Sequence, residues 1–410
     1  MDLQRYCINF QRQNLFSIFF SCCLFFRLNE ITFANIIGFP KRRLEYNTHK
    51  MLSNNDLELI SKTIIAWYKI HKRSLPWRNS DNPYTIWISE IILQQTRVVQ
   101  GYDYFLHFLE QFPDIKSLAE ASEDEVLKCW QGLGYYSRAR NLHAAAKQLQ
   151  AVYGNKFPQT YDEIRRLKGI GDYTAAAISS FAFHLPYAVV DGNVYRFLSR
   201  YFGIETPIDS TVGKKFFASL ATDLLNKRDP GTHNQAIMEF GALQCAPSSP
   251  DCAQCPLATG CFALSNNKVS TLPVKAKKSK VQHRYFHYFM IINNQTTYLN
   301  KRTGKDIWQN LYEFPLYESL QPMDITQILQ TDLFVSLTQS LPFFIKHQSP
   351  EIKHVLSHQI IHAHFYVIQT SGMNNNMSNF IPVKMQELSH YPISRLMENF
   401  VKKISKNLPF

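Results

Sequence analysis

Four of the chain's eight cysteines crowd together as Cys245-x6-Cys252-x2-Cys255-x5-Cys261, late in a sequence of 410 residues. Four thiolates on loops this short can wrap one small inorganic centre. A tetrahedral zinc ion and a [4Fe–4S] cube both satisfy the count. Cys7, Cys22, Cys23 and Cys129 share no such spacing. One compact group in a long chain is unlike the disulfide framework of a small secreted domain, and it points to a metal centre in a reducing compartment.

Two carboxylates stand in unusual company. Glu90 lies among Ile88, Ile91, Ile92 and Leu93. If that face is buried, loss of solvation raises the carboxyl pKa and makes Glu90 a general acid; an exposed helix face is the other reading. Asp191 begins Asp191-Gly192-Asn193-Val194, where an acid at a turn suits a helix N-cap and can serve a reaction as well. Some 20 residues before it runs Leu167-Lys168-Gly169-Ile170-Gly171-Asp172-Tyr173. Here one helix ends, two glycines let the backbone approach a ligand closely, and the free amides of the next helix attract an anion such as phosphate. An ordinary turn between helices fits the same residues. The amides of Gln94 and Gln95 offer both donor and acceptor, the equipment for reading base edges.

The elements that must position these groups are mostly helical. Leu57, Ile60, Ile64, Ile65 and Tyr68 recur at helical spacing after the N-cap candidates Ser53, Asn54 and Asn55. From there to about Cys261, helix follows helix across short Gly, Pro or Asn turns. Residues 266–284 form a basic linker, with Lys268, Lys275, Lys277, Lys278, Lys280 and Arg284. From 285 to 410 the character changes, and Tyr285–Ile292 and Ile360–Gln369 carry the aromatic and β-branched residues of strands. The fold class is therefore multidomain: an all-α core over residues 51–265, then an α+β domain over 285–410. Residues 1–50 stand apart. The apolar run Leu15–Phe26 is too short for a comfortable membrane span; a signal-peptide core is a second reading, with Thr32-Phe33-Ala34 a poor cleavage site, and the favoured third is that Met51, followed at once by an amphipathic helix, is the physiological start.

The formal net charge of +12 favours a polyanionic partner, nucleic acid before an anionic membrane. Hydrophobic residues at 45% and charged residues at 19% exclude wholesale disorder.

Taken in order, the motifs from Leu75 to Cys261 closely resemble those of the MutY family of adenine DNA glycosylases, within the helix-hairpin-helix superfamily of endonuclease III. They are Leu75-Pro76-Trp77-Arg78, Ser89-Glu90 through Leu93-Gln94-Gln95-Thr96, Gly132-Leu133-Gly134-Tyr135-Tyr136, the glycine hairpin, Asp191-Gly192-Asn193-Val194, His233-Asn234-Gln235-Ala236 and the cysteine group. The resemblance implies a [4Fe–4S] cluster on Cys245, Cys252, Cys255 and Cys261. It implies catalysis by Glu90 as acid and Asp191 as carboxylate, with Tyr173 and Asn193 orienting these groups or water. It implies DNA contacts by Arg78, Gln94, Gln95, Gly169 and Gly171, with Tyr135 as the intercalating wedge. Tyr173 stands where bifunctional relatives place a lysine, and a phenol cannot form an imine, so a monofunctional enzyme is expected.

The second domain resembles the Nudix-like domain of that family through Gly304-Lys305-Asp306-Ile307-Trp308 and Leu311-Tyr312-Glu313-Phe314-Pro315. Between Tyr317 and Leu333 stand Glu318 and Asp324 but no magnesium-binding acidic helix, so the domain should bind without hydrolysing. Leu356-Ser357-His358 matches the family's lesion-reading Phe-Ser-His loop with Leu in place of Phe, which makes Ser357 the expected reader. The implied partner is double-stranded DNA carrying adenine opposite 8-oxoguanine or guanine, met by a monomer in the cytoplasm, at the nucleoid and off the membrane. The competing readings are a relative acting on thymine or oxidised pyrimidines, and a catalytically silent DNA-binding iron–sulfur protein.

Overall fold

Helix α1 (Asn54–His71) starts where Ser53 accepts the Asp56 amide while the Asp56 side chain accepts the Ser53 amide, a reciprocal capping box. The computed structural model describes residues 53–276, 281–339, 341–372 and 375–407. The expectations for residues 1–50 and for Met51 lie outside them. After a single 3₁₀ turn at Pro76–Asn79, the chain runs through α2 (Pro83–Leu93), α3 (Val98–Gln111), α4 (Ile115–Glu120), α5 (Glu123–Cys129), α6 (Ser137–Tyr153), α7 (Tyr161–Arg165), α8 (Asp172–Phe183), α9 (Gly192–Phe202), α10 (Thr211–Leu224), α11 (Pro230–Leu243) and α12 (Phe262–Ser265). The all-α reading of this half holds.

These helices bury two adjacent cores. Trp87, Trp130, Phe105, Phe108, Leu142 and Ile178 fill one, built on α2 to α8. Ile64, Trp67, Phe197, Phe217 and Phe240 fill the other, built on α1, α9, α10 and α11. The seam between the cores is where the chemistry-bearing residues collect.

The first part of the basic segment runs along the helical half, the Ile208 amide donating to the Val274 carbonyl and the Ala276 amide to Asp209 Oδ1. Strand β1 (Gln282–Ile292) begins three residues inside the segment read as linker. It is followed by β2 (Thr296–Lys301), β3 (Tyr312–Glu313), β4 (Leu316–Ser319), α13 (Ile325–Leu329), α14 (Asp332–Thr338), β5 (Phe343–Gln348), β6 (Ile352–Val355), β7 (Gln359–Thr370), β8 (Ile381–Lys384) and α15 (Arg395–Asn407). The larger sheet runs β4-β1-β7-β5, with β6 also on β7, and a smaller sheet runs β3-β2-β8. β1 and β7 pair in parallel; the other pairings are antiparallel. α15 lays Leu396, Met397, Phe400 and Ile404 on one side of the large sheet, while α13 and α14 lay Ile328, Phe334 and Leu337 on the other. Glu318 pairs with Arg284, and Asp324 caps α13. The two acids of this stretch are thus spent on structure.

The halves of this unit are bound tightly. Leu311, 1% exposed, sits in the core of the helical half. Around it Asp124 accepts from Lys301 Nζ (2.8 Å) and the Tyr312 hydroxyl (2.7 Å), and Arg140 donates to the Gln309 carbonyl (2.8 Å).

Candidate active site and cysteine loop

The cleft at the seam encloses about 1190 Å³ and gathers Arg78, Glu90, Gln94, Gln95, Gly169, Gly171, Tyr173, Asp191 and Asn193 on its walls. Nine residues singled out in the sequence thus share one space.

Glu90 stands in the last turn of α2, is 8% exposed and is flanked by buried Ile88, Ile91 and Ile92. Burial pushes its carboxyl up to about 7; the Tyr173 hydroxyl and Arg78 work against that shift, and Asp191 adds to it. The buried reading of this helix is therefore the correct one. Asp191 sits across the cleft as the N-cap of α9. Its Oδ1 accepts from the amides of Asn193 (2.9 Å) and Val194 (2.8 Å), and its Oδ2 from the Asn193 side-chain amide (2.7 Å). Burial raises this carboxyl while the three donors favour its ionised form. Tyr173 lies in the first turn of α8 and donates its hydroxyl to Met238 Sδ at 3.9 Å. Its burial, with the two carboxylates nearby, keeps the phenol neutral far above its usual range.

The glycine hairpin takes the expected shape. Gly169 has φ +76°, and a Cβ there would stand 2.5 Å from Asn141 Cβ. Gly171 leads into α8 with no side-chain cap, so no capping side chain takes the first amides of that helix. Gln94 ends α2 and donates to Thr174 Oγ1 at 3.2 Å, and Gln95 follows it exposed, with φ +57°.

Tyr135 and Ser357 lie elsewhere. Tyr135 has φ +48° directly after the Gly132-Leu133-Gly134 turn and is 47% exposed, whereas Tyr136 is buried. The tight turn between β6 and β7 carries Ser357, closed by the Leu356 amide donating to the Gln359 carbonyl at 2.8 Å. The two hydroxyls meet in a short hydrogen bond across the two halves.

Arg78 lines the cleft but does not face free solvent. Its guanidinium grips Glu239 at 3.0 and 2.6 Å and lies over the Tyr68 ring. Arg73 takes the same carboxylate at 2.8 and 2.6 Å, and the pair holds the Glu239 carboxyl down to about 2. Sequence reading missed this triad. The signal was there: Glu239 is an acid amid Ile237, Met238 and Phe240, the pattern that drew attention to Glu90.

The four cysteines line one small cavity walled by Phe197, Tyr201 and Leu257. Among the described residues no three His, Cys, Asp or Glu side chains are placed to hold a metal ion at a point. Four sulfurs lining one space are a donor set suited to a polynuclear cluster. Buried Arg200 donates to the carbonyls of Ala246 (2.8 Å), Pro247 (3.2 Å) and Leu272 (3.1 Å), with Cys245 Sγ at 3.5 Å. Arg196 connects loop to cleft, donating from Nε to the Cys245 carbonyl (2.8 Å) and from Nη2 to Asn193 Oδ1 (2.9 Å). Asn193 in turn holds Asp191.

No helix among the described residues is long and apolar enough to cross a membrane.

The family of HhH-GPD superfamily base excision DNA repair proteins matches residues 88–218, and the NUDIX domain family matches residues 287–403. The class is thus a helix-hairpin-helix base-excision domain joined to a NUDIX domain. The adenine DNA glycosylase of Buchnera aphidicola subsp. Acyrthosiphon pisum is 31% identical over 355 residues, 84% of this chain and 99% of that protein. That of Buchnera aphidicola subsp. Baizongia pistaciae is 38% identical over 262 residues, 62% of this chain and 73% of the relative. A thermostable thymine-DNA glycosylase of solved structure overlays with a TM-score of 0.49 at 28% identity, covering 52% of this chain and 98% of that one. The chain belongs to the MutY-type adenine DNA glycosylases of the HhH-GPD superfamily, enzymes of base excision repair that hydrolyse the N-glycosyl bond.

Proposed function

We propose that this chain removes adenine paired with 8-oxoguanine or guanine in duplex DNA, leaves the abasic strand uncut, and acts as a monomer in the cytoplasm at the nucleoid. The observation that carries the reading is the pair of unlike carboxyls in one cleft. Glu90 is buried and raised to about 7, whereas Asp191 is held by three N–H donors, with a phenol between the two sides. One neutral acid and one carboxylate is the division of labour that glycosidic cleavage needs.

The target adenine has to leave the duplex before these groups can reach its bond to the sugar. Tyr135, exposed directly after its glycine turn, wedges into the stack, and Gln94 and Gln95 contact the opened bases. Glu90 protonates the adenine, which departs as a neutral base. Asp191 faces the positive charge that develops on the sugar, and Tyr173 and Asn193 orient the carboxyls and the attacking water. Gly169 and Gly171 offer backbone amides to a phosphate. Arg78 acts through Glu239 and the cleft wall. Ser357, on its turn, meets the 8-oxoguanine of the other strand. Cys245, Cys252, Cys255 and Cys261 hold a [4Fe–4S] cluster, which supplies a rigid anchor for the 245–261 loop and takes no part in bond cleavage.

The test is incubation with duplexes carrying adenine opposite 8-oxoguanine, guanine or thymine, followed by alkali. Strand cleavage confined to the first two, and appearing only after alkali, is expected. Scission without alkali would contradict the assignment of Tyr173, and equal activity opposite thymine would contradict the mispair assignment.

A further inference from the structure

β1 and β7 run parallel with Tyr285 opposite His362 and His287 opposite His364. Since side chains alternate along a strand, His283, Tyr285 and His287 of β1 share one face with His362 and His364 of β7. At the end of that face nearest the 356–358 turn, His283 Nδ1 lies 2.9 Å from His362 Nε2. The other nitrogen of His362, Nδ1, lies 2.9 Å from Glu351 Oε1. The Tyr285 ring stacks on His362 at 4.8 Å and 20°, which fixes the plane of the imidazole, and the His362 side chain is only 13% exposed.

Metal-bound histidines are commonly oriented in this way, by a carboxylate that accepts the hydrogen bond of the ring nitrogen facing away from the ion. With Glu351 accepting the Nδ1 proton in a hydrogen bond, Nε2 keeps its lone pair outward. The lone pair points at a second imidazole nitrogen. Two nitrogens bound to a tetrahedral ion at 2.0–2.1 Å stand roughly 3.3 Å apart, so the pair needs to open by only about 0.4 Å. We propose that His283 and His362 form a site for a divalent transition-metal ion of the zinc type, with Glu351 as its carboxylate support. Imidazole selects zinc, copper or nickel over magnesium or calcium. No third side chain converges on the point among the described residues, so water or a small anion completes the coordination. The site is separate from the cysteine loop and from the catalytic cleft. The Gln282 amide, next to His283, donates to the His358 carbonyl at 3.0 Å, so an ion here ties β1 to β7 at the root of that turn.

The experiment is equilibrium dialysis of the full chain against zinc chloride, with zinc and iron both quantified so that uptake by the cysteines is counted apart. The wild type should take up one zinc more than His283→Gln or His362→Gln, and Lys353→Gln, on the neighbouring strand, should match the wild type. Glu351→Gln, a change at a half-exposed side chain, should weaken that zinc about 10-fold. Zinc should also raise the Tm of the wild type and leave that of the two histidine variants in place. Equal uptake by wild type and both histidine variants would overturn the proposal and leave a simple imidazole–imidazole hydrogen bond. An unchanged affinity in Glu351→Gln would overturn it too, even if the histidine variants failed to fold.

Discussion

Glu90 and Asp191 set a pH profile whose two limbs can be assigned in advance. The acid works protonated, and with its carboxyl raised from 4.5 to about 7 it stays protonated through mildly acidic solution and is lost as pH rises through about 7. Asp191 works ionised, and burial lifts its carboxyl, so the acid limb should lie above the ordinary aspartate range. Single-turnover rates should therefore trace a bell whose alkaline side falls near pH 7. Glu90→Gln should lower the rate roughly 100- to 10,000-fold while leaving affinity for the duplex largely intact. Near-normal turnover in Glu90→Gln or Asp191→Asn would remove the assignment. Glu239 behaves in the opposite sense. Its carboxyl is depressed from 4.5 to about 2, so its stabilising contribution is full above the ordinary carboxylate range and fades as pH falls from about 4.5 toward 2. Glu239→Gln strands two guanidiniums in the cleft wall and should cost on the order of 3 kcal/mol, reduced to the extent that water reaches Arg73, in a denaturant titration.

Among the elements, the starts of α8 and α9 carry most of the design, and both were legible in the sequence. Gly169-Ile170-Gly171 and Asp191-Gly192-Asn193 announce helix starts through local backbone rules that a few neighbouring residues satisfy. Glu90 was legible because its apolar neighbours imply burial. The Glu239 triad was not, since its partners lie 161 and 166 positions away and meet only when α11 packs against α1 and the segment that follows it. The parallel pairing of β1 with β7 was equally hidden, although both strands were placed within a few residues: alternation marks a strand without naming its neighbour. Gly169→Ala tests the first kind of information. A Cβ at φ +76° against Asn141 should destabilise the hairpin by about 1–3 kcal/mol. It should also weaken binding equally for duplexes of unrelated sequence, measured by fluorescence anisotropy, because a phosphate contact carries no sequence information. Arg196→Gln tests the link between α9 and the 245–261 loop. With Asn193 released, kcat should fall several-fold with little change in KM, whereas a change in KM alone would show that the link serves only binding.

Across the whole molecule, the seam at Asp124 joins the half that holds the cleft to the half proposed to read the lesion. Asp124→Ala removes the acceptor of both Lys301 and Tyr312. The exposed setting of the Lys301 pair limits the stability loss to about 1 kcal/mol for that contact. The larger effect should be a narrowed preference for adenine opposite 8-oxoguanine over adenine opposite guanine, read as a ratio of single-turnover rates. That Leu311 completes the core of the helical half sets a limit on where the chain can be divided. A helical half expressed without residues 285–410 would present a bare apolar socket in that place, and exposed apolar surface of that kind favours association with other apolar side chains. Such a fragment should unfold at a lower denaturant concentration than the full chain and self-associate in sedimentation, and equal stability of the two would show that the socket closes without Leu311.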